Sequence, residues 1–547
     1  MFIILVPVLT LWGLLFQSGF YAYADQHFPL STAIPPNSIA SIIPLNGFSF
    51  DRIFLTFPYF IFAHFTSNIS IIEKGFLYYT FLVYSILCYA FSSIVINYYQ
   101  KEITPISGFK KNSGKLIIFV LAYSNLSALN LNADGGTWSD SIILIIIAIS
   151  VVLLMGKKAN WKTYMTVTGM MMLSFLLDPD YIPMYWIAIF VVSFVKSVMV
   201  RNVKAVVYSV LSISLSTVSI FYLYLQSLLT GPLTLSGFSA LGYRAYSSSQ
   251  VAYDSSNISL YNVFILFGHI WSTIVYSPPS VLSVKNIFDL YSLYNPVQVL
   301  IVPGALFYIW LIALVSVPLF SFSSLLFRST RRTAIQFISL FIVAYLITEE
   351  WNIPVVYNLI FRLVGLPVIG SAIGTTFSLP GHFLNLMAFA YLPLFSLGVL
   401  TIIHYSDKIH FERVKDDVGI RFIIGIEDKK RGYARRTIHA KTLVVVFIIV
   451  SLVSLSGWQA FNGSYYPMRD SPGSFLEGNA VAPKGVFTPT EINGSVIAAY
   501  NLVGTNFSEG YNTLWIGGPS VNEFTYAGPP DRVAESGLSF LTNYTYT

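Results

Sequence analysis

Charged residues are scarce in this sequence. Only 10% of the 547 residues are Asp, Glu, Lys or Arg, whereas 55% are hydrophobic and 16% are aromatic. A soluble chain of this length needs far more charge on its surface, so the composition excludes a soluble globular protein. The formal charge of +6 belongs to a hydrophobic chain and does not indicate a nucleic-acid partner.

Cysteine and the common catalytic motifs are also missing. Cys88 is the single cysteine and lies in an apolar run, which excludes disulfides and thiolate metal sites. The sequence contains no P-loop, GxSxG, HExxH or CxxC motif. Its histidines lie in connecting segments or at helix ends, which disfavours a haem held between facing helices.

The sequence does contain many apolar runs of about 17 to 25 residues, a length that crosses the hydrocarbon core of a bilayer. We therefore predict an all-α polytopic membrane protein. Its first run has no basic flank and is read as a retained helix, not a cleaved signal peptide. The eleven predicted transmembrane helices are 3–21, 75–98, 115–131, 140–155, 163–178, 183–200, 204–226, 298–326, 334–349, 381–404 and 442–459.

Charge sets the orientation of these helices. With the N-terminus inside, most of the 31 lysines and arginines fall in the inner segments and most of the 25 acids in the outer ones, as the positive-inside rule requires. The prediction is a multi-pass protein of the cell membrane. Its membrane domain covers 1–460, and its extracytoplasmic C-terminal segment covers 461–547.

Three outer segments are long: 22–74, 227–297 and 350–380. Each contains an apolar stretch (51–65, 260–277 and 355–374) that we expect to lie in the membrane interface. The last of these has a re-entrant alternative, and two of the three could instead cross as an extra pair. The cytoplasmic loop 405–441 is predicted to form a short amphipathic helix and a β-like turn on anionic headgroups.

The C-terminal segment changes in composition. It is rich in Gly, Pro, Asn, Ser and Tyr and contains LWIGGPSVNEFTYAG, a pattern of strands and turns. We predict a small β-rich extracytoplasmic domain, or part of one. Four N-glycosylation sequons, at Asn462, Asn493, Asn506 and Asn543, agree with an outer location.

The stretch YAYADQHFPL follows the first helix and places Asp25, Gln26 and His27 where the chain leaves the bilayer. An ionisable group near the membrane is costly and is a functional candidate. We predict that Asp25 is catalytic and that Gln26 and His27 bind substrate. The structural alternative is a surface acid at a helix end.

Other candidates also lie at the predicted outer face. Asp140, Glu349 and Glu350 stand at helix mouths, where capping or helix termination is the structural alternative. Arg244 and Arg362 can each donate two parallel hydrogen bonds to a phosphate. The structural alternative for Arg362 is that its charged end extends from an interfacial helix to the water.

The layout resembles the GT-C class of membrane glycosyltransferases. The resemblance rests on a first long outer loop that opens with an acid in DQHFPL, a second long outer loop after the seventh helix, and an outer C-terminal domain. It implies a polyprenyl-phosphate-linked sugar donor, a glycan or protein acceptor, and Asp25 as general base. It also implies a divalent metal, Mg or Mn, at Asp140.

Chemistry adds Arg244 and Arg362 as groups that stabilise the leaving phosphate. The sequence departs from the class in having no Asp-Glu pair and no WWDYG-like motif, which leaves the acceptor open. The alternative hypothesis is a non-enzymatic multi-pass protein, either a transporter or a subunit of a surface or respiratory complex. Because the acids gather at one face and not at mid-helix, the sequence disfavours ion-coupled transport.

Overall fold

The computed structural model describes residues 2–15, 61–62, 64–66, 68–106, 108–124, 138–156, 159–175, 177, 181–230, 304–366, 377, 381–406, 409–416, 419–426, 435–456, 490–492 and 524–526. These residues are mostly helical. The helices are α1 (Phe2–Leu15), α2 (Ile69–Glu102), α3 (Gly108–Tyr123), α4 (Trp138–Leu154), α5 (Trp161–Phe175), α6 (Ile182–Val200), α7 (Lys204–Thr230), α8 (Gly304–Leu326), α9 (Arg328–Thr348), α10 (Pro354–Val364), α11 (Gly381–Tyr405) and α12 (Arg435–Ser456). The strands are β1 (Ile409–Asp416), β2 (Gly419–Ile426), β3 (Thr490–Ile492) and β4 (Phe524–Tyr526).

A helix lies at each of the eleven predicted positions, and the prediction of a mainly helical chain is confirmed. Four segments in the described part are both long and apolar enough to cross a membrane: Lys74–Glu102, Ile182–Val200, Arg328–Thr348 and Asn385–Tyr405. Two helices begin seven residues before their predicted starts: α3 begins at Gly108 and not at residue 115, and α12 begins at Arg435 and not at residue 442. The basic GFKKNSGK segment continues α3 instead of forming a loop.

Helix α11 forms the centre of the bundle. It contacts α2, α3, α4, α8, α9 and α12, and 94% of its apolar window is buried. Its sequence is apolar on all sides, as expected of a helix enclosed by others. The approach to α8 is close, because a Cβ atom at Gly398 would overlap the carbonyl oxygen of Phe320. Phe320 and Phe395 pack edge to face beside this crossing.

Buried hydroxyl groups connect the helices. The hydroxyl of Tyr84 donates to the carbonyl oxygen of Ala122 at 2.7 Å, which joins α2 to α3. The hydroxyl of Tyr99 donates to Thr401 Oγ1 at 3.2 Å, which joins α2 to α11. Hydrogen bonds of this kind hold helices together where the surroundings supply no hydrophobic driving force.

Basic side chains cap helix C-termini at one end of the bundle, which we call the basic end. Lys110 Nζ donates to the carbonyl oxygen of His404 at 3.0 Å, and Lys196 Nζ donates to that of Leu154 at 2.7 Å. Arg331 Nε donates to the carbonyl oxygen of Leu325 at 2.9 Å. The lysines and arginine therefore neutralise the negative ends of α11, α4 and α8.

The outside of the bundle is apolar. Phe194, Val198, Leu215 and Val218 on α6 and α7 are exposed, as are Leu319 on α8 and Phe447 on α12. Exposed apolar surface of this extent marks contact with lipid or with other proteins. Together with the four long apolar helices, it supports a membrane protein.

The segment between α11 and α12 corrects a prediction. Instead of an amphipathic helix, residues 409–416 and 419–426 form an antiparallel hairpin, with Ile409 opposite Ile426 and Asp416 opposite Gly419. Two-residue alternation of apolar and polar residues favours a strand; it is present in 409–412 but breaks at Arg413 and in the apolar run 422–424. The mixed charges made this two-residue period hard to recognise in the sequence. In the C-terminal segment, β3 pairs with β4, and its other residues lie outside the described part.

Candidate functional site at the end of helix α9

We call the end of the bundle that contains Glu349 and Glu350 the acidic end. Helix α9 ends there, at Thr348, and the basic end lies opposite. Glu349 is the C-terminal cap of α9, a 3₁₀ turn covers Glu350–Asn352, and α10 starts at Pro354. Proline is suited to the first turn of a helix, because that position needs no backbone N–H donor. The Thr348 hydroxyl group donates to Met387 Sδ at 3.7 Å, so this turn lies beside the start of α11.

Glu349 is half-buried and accepts a hydrogen bond from Asn352. Asn352 Nδ2 donates to Glu349 Oε2 at 2.7 Å. Burial raises the pKa of the Glu349 carboxyl group, and the hydrogen bond from Asn352 opposes part of that rise. A carboxyl group whose pKa is moved toward neutrality can hold or release a proton during a reaction.

Glu350 is fully buried, with 0% of its surface exposed. Burying a carboxyl group is costly. A carboxyl group that only ends a helix at the water boundary would stay exposed and would not carry this cost. That interpretation therefore does not explain why Glu350 is buried. The two adjacent acids thus provide one deeply buried and one accessible carboxyl group.

Arg362 lies in the last turn of α10 and is exposed. Eight helical residues separate it from Pro354, a distance of about 12 Å along the axis. Helix α10 buries Ile360 and Val364 and exposes Val355 and Leu359. Eleven residues span about 16 Å, which is too short for a bilayer core of about 30 Å, so α10 fits an interfacial helix.

The side chains of the remaining predicted site residues lie outside what the structure describes. Asp25, Gln26, His27 and Arg244 lie outside the described residues. Asp140 is the third residue of α4, and its side chain is not among those described. Of the predicted site residues, Glu349 and Glu350 are adjacent, and Arg362 follows them on the next helix.

Asn385, which was not among the predicted site residues, also lies at this end of the bundle. Its side chain is 1% exposed, and within the described part neither Oδ1 nor Nδ2 has a hydrogen-bond partner. It stands alone among apolar residues in GHFLNLMAF. An isolated amide in an apolar run was the only available signal.

A metal position does not emerge from the described part of the chain. No three His, Cys, Asp or Glu side chains come together among its residues. Glu349 and Glu350 provide two carboxyl groups, but Glu349 is already hydrogen-bonded to Asn352. The side chain of Asp140 lies outside this part, so the Mg or Mn ion expected there stays a prediction.

The chain was compared with family models, curated proteins and solved structures, and no match was found. The functional assignment therefore depends on residue chemistry and on the layout of the helices.

Proposed function

We propose that this protein is a membrane glycosyltransferase that transfers a sugar from a polyprenyl-phosphate donor to a hydroxyl acceptor at the outer membrane face. The observation that carries the proposal is the pair of acids at the end of α9, with Glu350 fully buried and the pKa of Glu349 raised. Helix α10 and exposed Arg362 follow directly. Carboxyl groups can bind or deprotonate a hydroxyl group, and a cation can stabilise a departing lipid phosphate, so these groups support the proposal.

The proposal includes a topology. The basic end faces the cytoplasm and the acidic end faces outward, and the eleven helices other than α10 cross the membrane with the N-terminus inside. The C-terminal β-rich domain is then extracytoplasmic. The exposed apolar side chains on α6, α7, α8 and α12 face lipid. Lys110, Lys196 and Arg331 support this orientation because positively charged residues accumulate on the cytoplasmic side.

In the proposed reaction, an acceptor hydroxyl oxygen attacks the anomeric carbon of the donor sugar. The bond between that carbon and the phosphate oxygen breaks, and its electron pair leaves with the lipid phosphate. The hydroxyl proton passes to the Asp25 carboxylate as general base. Glu349, the accessible one of the two acids, holds a sugar hydroxyl group, and Arg362 and Arg244 neutralise the departing phosphate.

The test is sugar transfer from radiolabelled polyprenyl-phosphate sugars in membranes that contain the protein. We expect Asp25→Asn to abolish transfer, and Glu349→Gln and Arg362→Gln to reduce it about 10- to 100-fold, typical of one lost acid–base or charge contact. Arg332→Gln is the matched control, because Arg332 is exposed near the opposite end of α9. Its transfer should equal that of the wild type.

Absence of transfer from every donor, at confirmed expression, would contradict the proposal and favour a non-enzymatic membrane protein. Equal loss in Arg332→Gln and Arg362→Gln would show that charge removal harms the fold and not a site.

A further inference from the structure

Asn385 occupies an unusual position in the second turn of α11. The side chain is 1% exposed, and within the described part of the chain its amide has no hydrogen-bond partner. Its neighbours Phe383, Met387, Ala388 and Phe389 are all buried and apolar. A buried polar group without a hydrogen bond lowers stability, and the structure describes no bond that compensates for burying this amide.

Two contacts fix the depth of Asn385 in the bundle. Thr348 on α9 contacts Met387 on α11, and Phe341 packs against Tyr391 with ring centroids 6.5 Å apart. In antiparallel helices, residues that follow Thr348 lie beside residues that precede Met387. The two contacts differ in register by three residues, so they place Asn385 within about one helical turn of the level of Glu350, at the acidic end of the bundle.

The side of α11 is fixed by helical rotation. Asn385 precedes Met387 by two residues, or about 200°, so Asn385 lies on the side of α11 away from α9. Glu350 and Asn385 thus lie at the same end of the bundle, on different sides of the central helix.

The chemistry of the amide narrows the class of ligand. A carboxamide places an acceptor oxygen beside an N–H donor. A pair of neighbouring hydroxyl groups is complementary to it, because each hydroxyl both donates and accepts. A phosphate offers no donor at neutral pH unless it carries a proton, and an ammonium group offers no acceptor.

We propose that Asn385 binds neighbouring hydroxyl groups of a carbohydrate at the acidic end of the bundle, with Oδ1 accepting from one hydroxyl and Nδ2 donating to the other. This inference rests on the proposed function, since it assigns a further substrate contact to the same end of the protein. It explains why an amide that lowers the stability of the free protein stands in the central helix.

The experiment uses the full-length protein in detergent and measures the midpoint of thermal unfolding. Asn385→Leu replaces the amide with an apolar side chain of similar shape. Ser174→Ala is the matched control, because Ser174 Oγ is also buried and without a partner in the described part. The probes are mannose, glucose and N-acetylglucosamine, each at high millimolar concentration, with glycerol as a non-sugar polyol.

We expect Asn385→Leu to unfold at the wild-type temperature or above it, since no hydrogen bond is lost. At least one sugar, but not glycerol, should raise the midpoint of the wild type and of Ser174→Ala, and this rise should vanish in Asn385→Leu. In the transfer assay, kcat/KM of Asn385→Leu should fall about 10- to 100-fold, as expected when a site loses hydrogen bonds to substrate.

Three results would overturn the inference: a lower midpoint for Asn385→Leu without sugar, no sugar-induced rise in the wild type, or a rise that Asn385→Leu retains. The two proposals fail separately. Sugar-dependent stabilisation that requires Asn385, without transfer from any donor, would contradict only the proposed function. Transfer that is unchanged in Asn385→Leu would contradict only this inference.

Discussion

At the scale of single residues, the two adjacent glutamates differ because the chain turns between them. Glu349 caps α9 and is half-buried, whereas Glu350 starts the 3₁₀ turn and is fully buried. Their identical chemistry gives no reason to tell them apart in the sequence. The backbone direction after Thr348 assigns one carboxyl group to the interior and leaves the other reachable.

The raised pKa of Glu349 predicts how stability depends on pH. Burial raises this pKa in the folded state, so the folded protein holds the proton to higher pH than the unfolded chain. Its contribution to stability is full below the ordinary pKa of glutamate, about 4.3, and is lost as pH rises through the folded-state pKa. We expect Glu349→Gln to remove this decline.

Thermal unfolding of the wild type and Glu349→Gln across pH 4 to 8 in detergent measures the effect, with the wild-type protein losing stability relative to the variant as pH rises. A difference between the two proteins that stays constant with pH would contradict the raised pKa. A difference that changes in the opposite direction would mean that the carboxylate form is favoured in the folded state.

At the scale of elements, the crossing of α8 and α11 depends on one glycine. A Cβ atom at Gly398 would overlap the Phe320 carbonyl oxygen, and backbone cannot move aside as a flexible side chain can. Overpacking of this kind costs about 1–3 kcal/mol. We expect Gly398→Ala to lower the unfolding midpoint in detergent, whereas Gly169→Ala on α5, where a Cβ would meet nothing within 4 Å, should not. Equal midpoints for the two variants would show that the helices do not cross so closely.

The elements also show what the sequence could and could not predict. Long apolar runs located the helices, because burial or lipid contact on all sides requires such runs. The start of α3 was missed because Lys110 donates into the end of α11, a distant contact that the apolar pattern does not contain. The hairpin was missed because mixed charges obscured its alternation. Asn385 was missed because the sequence does not say whether an amide finds a partner.

At the scale of the whole molecule, the two ends of the bundle differ in charge, and this difference predicts which end faces the cytoplasm. Lys110, Lys196 and Arg331 cap helices at one end, and Glu349 and Glu350 lie at the other. If the positive-inside rule holds, an exposed residue on α10 faces outward and one near the start of α9 faces inward. Asn358 and Arg332 are exposed residues at these positions.

Thiol labelling in intact cells measures this orientation. The native Cys88 is buried, so a membrane-impermeant maleimide should leave the wild-type protein unlabelled. We expect Asn358→Cys to be labelled in intact cells and Arg332→Cys only after permeabilisation. The reverse pattern would place Glu349 and Glu350 in the cytoplasm, where a transferase acting at the outer face could not use them. Labelling of both cysteines in intact cells would mean that the ends of α9 are not separated by the membrane, which contradicts α9 as a membrane-spanning helix.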